Sequence, residues 1–276
     1  MSDSPGPNVT AYQGAPQPGA PDDSLPLAGY EDQRHRPLRE FDGPSELPIS
    51  LSLNDVAMAT LLATPDSLEA LAIGHAYTAG WIERIDQVES IERFRLRHGL
   101  AVRMNVPGRL AARAAEKAPR EASVSSCGAC GAAEEAQIMA GLVRLGVTPA
   151  LSAEALQRGL ATLDCHSRRG QHCALGLDAN GEVTTVGMDI GRHNALDRVI
   201  GESLRSGHWP QAVLISSRCS LELVQKTVRA GIGTLATLSL PSAMAVEVAR
   251  ACDLNLICCH RGKRLELLSG ALPGRA

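Results

Sequence analysis

Aromatic residues are scarce: two Phe, two Trp and three Tyr, 3% of 276 residues. A core must therefore be aliphatic, and a hydrophobic fraction of 44% supplies it with Leu, Val, Ile and Ala. No apolar run reaches the roughly 20 residues of a membrane-spanning helix, so no membrane association is expected. Basic charge is not in excess: 27 Lys and Arg face 30 Asp and Glu, a net charge of -3. That excludes a chain-wide basic field for nucleic acid, though not a local patch. The first residues have neither a basic n-region nor an apolar h-region, so no secretory signal is read and a cytoplasmic location is expected. In that reducing setting the eight cysteines read as core, metal-binding or reactive thiols rather than a disulfide framework.

Proline is unevenly spread. Nine of the 16 fall within the first 48 residues, among Gly, Asp and Gln, and residues 1–44 read as a disordered tail that offers too little apolar surface to offset ordering. Residues 45–120 read as a small α+β subdomain. Leu47–Leu53 alternates as a strand ending at Asn54-Asp55, and Thr64-Pro65-Asp66 opens a helix closed by Gly80, with Thr64 a cap candidate and Leu68, Leu71, Ala72 and His75 on one face. Ser90–Leu96 and Leu100–Met104 form a hairpin about His98-Gly99. Residues 121–135 hold a Cys-x-x-Cys loop and a helix start, and the helix runs from Ala132 to Leu145. Residues 136–276 read as an α/β domain. A helix spans Ser152–Leu163. The strands are His172–Leu177, Val183–Met188, Ala212–Ile215, Thr234–Leu238 and, last, Leu254–Cys259. Helices Asn194–Leu204, Leu221–Ala230 and Ser242–Cys252 interleave with them. This order implies a layered sheet with flanking helices.

Cys127-Gly-Ala-Cys130 is the sharpest motif. It precedes a helical run, where a thiolate is stabilised, and one thiol at this spacing can attack a persulfide or disulfide formed on the other. Two rivals stand beside this. Half a zinc knuckle would need a second Cys-x-x-Cys, and the chain has none. A thioredoxin-type pair would follow a strand and a Trp. The stretch Asp189-Ile-Gly-Arg-His-Asn-Ala-Leu-Asp197 sits at a strand-to-helix junction, where it suits an anion or nucleotide. The alternative is structural: Asp189 capping the helix and His193 packing. Ser216-Ser217-Arg218 and Ser239-Leu240-Pro241-Ser242 fall between strands and helices, where phosphates bind and where serines also cap. Arg261-Gly262-Lys263-Arg264 follows the last strand, as a solvated charge run or as a phosphate contact. A zinc-dependent nucleobase deaminase would show His-x-Glu and Pro-Cys-x-x-Cys. No His is followed two places on by Glu, and Cys127 follows Ser126, so deaminase chemistry is not supported.

Taken in order, these motifs resemble the formate dehydrogenase accessory sulfurtransferase family, FdhD/NarQ, over residues 46–268. Those carrying the match are Thr64-Pro65-Asp66 with Leu71-Ala72-Ile73-Gly74, Ser125–Gly131 around the two cysteines, Asp189–Asp197, Glu222-Leu-Val-Gln-Lys226, and Pro241-Ser242 with Ala245-Val-Glu247. The resemblance implies a cytidine-deaminase-like fold without zinc, and no metal is expected. It implies a sulfur carrier that receives persulfide sulfur from a cysteine desulfurase on Cys127, with Cys130 assisting. The sulfur passes to the molybdenum cofactor in its bis(molybdopterin guanine dinucleotide) form, for the formate dehydrogenase catalytic subunit. By the same match Cys259, His260, Arg261, Gly262, Lys263 and Arg264 are the cofactor-binding stretch, and a homodimer is implied. The chain departs from the family pattern at Arg168-Arg169-Gly170, Ala79, Ser217 and Cys259. A cofactor-binding chaperone that no longer moves sulfur is the alternative reading.

Overall fold

Alternation of apolar and small polar residues makes Leu47–Leu53 the first strand, β1, with Ile49, Leu51 and Leu53 buried on one face. The computed structural model describes residues 43–117, 139, 141–166, 170–260 and 264–273, all within one compact unit, Gly43–Ala276. The expected tail lies outside the described residues except for Gly43 and Pro44. Cys127, Cys130, Arg168, Arg169, Arg261, Gly262 and Lys263 lie outside them as well.

The first sheet adds β2 (Val56–Ala63), β3 (Ser90–Leu96) and β4 (Gly99–Asn105) in the order β2-β1-β4-β3. β1 turns at Asn54, whose φ of 51° suits Asn, and the Asn54 side chain bonds both backbone groups of Val106. Helices α1 (Leu68–Thr78) and α2 (Gly108–Lys117) supply the rest of an aliphatic core around Leu51, Leu71, Ile73 and Met104.

The second sheet holds β5 (His172–Leu177), β6 (Val183–Asp189), β7 (Ala212–Arg218), β8 (Thr234–Ser239), β9 (Asn255–Cys258) and β10 (Glu266–Ser269), ordered β10-β9-β8-β7-β5-β6. β7, β8 and β9 are parallel, while β5–β6 and β9–β10 are antiparallel hairpins and β5 runs against β7. One face packs on α3 (Ala153–His166) and the other on α4 (Arg192–Ser206), α5 (Leu221–Arg229) and α6 (Ala243–Ala251). The two sheets are joined through α1 and α4, which touch backbone to backbone. A Cβ at Gly74 would collide with the Asp197 carbonyl, and one at Gly201 with the Ala70 carbonyl. Among the described residues no helix is long and apolar enough to cross a membrane.

Several sequence expectations are corrected. α1 begins at Leu68, not beside Thr64, because the Thr64 and Asp66 carbonyls accept from Arg198 instead of from helical amides. Gly141 takes φ 72°, and the chain from there to Val147 is not helical, so the expected helix does not reach Leu145. Its Leu142 and Leu145 instead pack on the second core as irregular chain. β7 continues through Ser216 and Ser217, which are therefore strand residues rather than a loop. β9 is not the last strand: β10 folds back on it with Glu266 opposite Cys258. β2 went unread because Val-Ala-Met-Ala-Thr-Leu-Leu-Ala does not alternate cleanly.

Candidate functional site

The carboxyl ends of parallel strands are where open α/β sheets gather ligands. Here β7, β8 and β9 end at Arg218, Ser239 and Cys258. Because β5 is antiparallel to β7, its first residue, His172, lies on the same edge, paired with Asp189 at the end of β6. Glu266 begins β10 at that edge too. Helices α4, α5 and α6 all start beside it, and a cleft of about 320 Å³ opens there, lined by Arg192, Arg218, Ser220, Pro241 and Ser242. Ser242 caps α6, its hydroxyl accepting from Ala245 N at 3.2 Å. Ser242 N also bonds Cys219 O, tying the two cleft loops together.

The Asp189–Asp197 stretch divides between the two roles open to it. Asp189, Asn194 and Asp197 are buried and structural. The Asp189 carboxylate accepts from Thr64 N, Gly191 N, Asn194 Nδ2 and the Nε and Nη2 of buried Arg198, the last at 2.6 Å. It thereby clamps the β2–α1 loop to the second sheet. Asp197 accepts from Thr78 Oγ1 at 2.9 Å, from Lys226 Nζ at 2.8 Å to both oxygens, and pairs with His75 Nδ1 at 3.2 Å. Burial alone would raise this carboxyl, but Lys226 and His75 outweigh it and bring it down to about 2. Arg192 and His193 face outward instead. His193 Nε2 lies 3.2 Å from Ser220 Oγ and 3.1 Å from Glu222 Oε2.

The expected binding stretch is only partly described. The Cys259 side chain is wholly buried in the core below the edge, and its thiol is pushed up to about 12 by burial. It contributes packing there, not a contact at the surface. Its neighbour His260 reaches Glu266 Oε2 at 2.8 Å, closing the base of the β9–β10 loop, and this hydrogen bond lowers the Glu266 carboxyl. Arg264 returns the chain to the same edge. Buried Cys173 and Cys219 are pushed to about 11 and 12, and Cys252 and Cys258 upward, all by burial first. Cys165 is the exposed thiol among the described residues.

No motif spacing marks Lys226 and His75 as partners of Asp197. Lys226 lies on the stripe of α5 that buries Leu223 and Thr227, and a Lys at such a position calls for an anion beneath it. Arg192 stands within the Asp189–Asp197 motif, where nothing in the spacing sets it apart from its neighbours, yet it lines the cleft.

Two histidines of this edge titrate below their ordinary range. Burial and then Arg192 lower both His172 and His193, against weaker opposing carboxylates. Below about pH 6.5 the unfolded chain binds protons that the folded chain refuses, so stability is lost as pH falls through that value. The loss is at most about 1.4 kcal/mol per pH unit for each histidine. Melting temperature is expected to decline from pH 6.5 to 5 and to decline less in His193→Gln. An unchanged melting temperature over that range would contradict the half-buried, neutral state.

The sequence model of the FdhD/NarQ family matches residues 44–273. A protein named "Sulfur carrier protein FdhD" from Bordetella petrii is 36% identical over 221 residues, covering 77% of this chain and 79% of that protein. One of the same name from Variovorax paradoxus is 32% identical over 252 residues, covering 87% and 89%. A crystal structure from Desulfotalea psychrophila, described as a formate dehydrogenase accessory protein, superposes with a TM-score of 0.63 at 21% identity, covering 83% of this chain and 88% of that one. That likeness shows the mixed α/β fold.

Proposed function

The chain belongs to the FdhD/NarQ family, and on that premise we propose that it is a sulfur carrier in formate dehydrogenase maturation, acting as a sulfurtransferase through Cys127. The Cys127 thiolate attacks the outer sulfur of a persulfide on a cysteine desulfurase. A new S–S bond forms, the donor's S–S bond breaks, and the donor leaves as a thiolate. Attack by the Cys130 thiol on the inner sulfur then releases the outer one as sulfide and leaves a Cys127–Cys130 disulfide. The sulfide goes to the molybdenum bis(molybdopterin guanine dinucleotide) cofactor, which is cargo bound for the formate dehydrogenase catalytic subunit. The layering is read as cytidine-deaminase-like, supported by a β5–β6 hairpin followed by parallel strands with interleaved helices.

The state of the other thiols carries this reading. Five of the six described cysteines are buried, and burial raises every one of the five. A protonated, enclosed thiol is neither nucleophile nor acceptor. Intact-mass and peptide mass spectrometry after incubation with a cysteine desulfurase and cysteine is expected to find one added sulfur, on the peptide holding Cys127. Sulfur on Cys165, or none at all, would overturn the assignment.

A further inference from the structure

The two sheets end in free edges at β2, β3, β6 and β10. A free edge offers unpaired backbone N–H and C=O groups to any extended chain, and bulges or short strands commonly blunt it. β2, β6 and β10 each pair with a register shift, and β10 is four residues long. β3 has neither device: it pairs with β4 over seven residues, Ser90–Leu96, without a shift. Its two-residue turn, Arg97-His98, makes Leu96 and Gly99 a hydrogen-bonded pair. Alternation from there leaves Ile91, Arg93 and Arg95 with their backbone groups directed away from β4. Every residue of β3 is exposed except half-buried Ile91. The side chains of Ile91, Arg93 and Arg95 also share one face, and Arg97 follows in the turn. Among the described residues none of these three arginines forms an ion pair, whereas neighbouring Arg103 is met by Asp55 and Glu92. The other face carries Phe94 and Leu96, 40% and 46% exposed, with the Arg103 guanidinium 5.0 Å from the Phe94 ring centroid.

We propose that β3 is a docking edge for an extended segment of a partner protein, one that alternates acidic with apolar residues and adds to the first sheet as a further strand. Backbone pairing with Ile91, Arg93 and Arg95 supplies the hydrogen bonds. Asp or Glu across from Arg93 and Arg95 supplies the charge, and the alternate apolar side chains lie beside Phe94 and Leu96. Charge decides the occupant. A second copy of β3 added antiparallel would set guanidinium against guanidinium, and like charges directly opposite are destabilising. A nucleic acid would meet the arginines but has no peptide backbone to continue the ladder. The edge lies on the first sheet, so its role stands whether or not the cysteines move sulfur.

The test is fluorescence anisotropy of a short labelled peptide of alternating Glu and Val, titrated with the full chain. Saturable binding is expected, weakening as salt rises, and the Arg93 and Arg95 amides should gain protection from hydrogen exchange as peptide is added. Arg93→Glu/Arg95→Glu is expected to weaken binding about tenfold or more, because two attractive cross-strand pairs become repulsive. Arg93→Lys/Arg95→Lys should keep most of it. Both side chains are exposed, so the melting temperatures of these variants should stay near wild type. The same peptide with alternate backbone nitrogens methylated should lose binding, since it keeps its charge but cannot donate to the edge. Equal binding of the methylated peptide would show attraction of charge without strand addition and overturn the proposal. So would no binding of the acidic peptide, binding of wild-type strength in the folded Glu variant, or tighter binding of single-stranded oligouridine than of the peptide.

Discussion

Arg198→Met is expected to lower the unfolding free energy by about 3–5 kcal/mol, the usual cost of leaving one member of a buried ion pair alone. Asp189 and Arg198 are both inaccessible, at 0% and 2% exposure, so the stranded carboxylate cannot recruit water. The substitution also takes Arg198 from the Asp66 and Thr64 carbonyls, leaving Thr64 O with the Asp66 amide. Those carbonyls anchor the loop between β2 and α1, so the cost falls on the junction between the two sheets. Domains of ordinary stability have about 5–15 kcal/mol in all, and the variant should be folded but marginal. Urea titration with constant slope is the measurement. An Asp189→Asn/Arg198→Met double variant should recover part of the loss, because it removes the unpaired charge. A single variant within about 0.5 kcal/mol of wild type, the range of ordinary surface substitutions, would show that the clamp is not a stabilising element.

That clamp also shows where the sequence was readable. From His172 onward, period-two strands and Gly- or Ser-bounded helices follow one another, and the structure departs from the expected ends by a few residues. Local chemistry decided those elements. The errors arose where distant partners decided. Nothing near Thr64 announces Arg198, 134 residues away, so a plausible cap became a carbonyl ligand and α1 started late. β10 is four residues long, follows a charge run and exists because β9 offers it an open edge. At the site, the Asp189–Asp197 stretch was legible as important but not as divided, since alternate residues of one helix start face the core and the cleft. Cys259 reads as the end of the last strand and, by the resemblance, as the first residue of the binding stretch; its backbone N reaches Thr237 O at 2.7 Å, continuing the pairing far enough to carry the thiol into the core.

Cys127→Ala is expected to reduce formate dehydrogenase maturation to background and to abolish the added sulfur seen by mass spectrometry. Cys130→Ala should separate the two halves of the transfer. Its persulfide on Cys127 still forms, because the first step needs one thiolate, but release of the outer sulfur is slowed for want of the resolving thiol. The pair of variants therefore predicts opposite persulfide levels with similar loss of activity. Each substitution removes one sulfur atom from a side chain, so melting temperatures should stay near wild type, and a large drop would point to a metal or packing role instead. Zinc in the purified wild type that is lost in both variants would revive the zinc-site rival. If Cys127→Ala binds GDP and still matures the enzyme fully, the chain is a cofactor chaperone whose cysteines carry no sulfur. Complementation of a strain lacking its own copy of this protein, assayed for formate oxidation, decides between these outcomes.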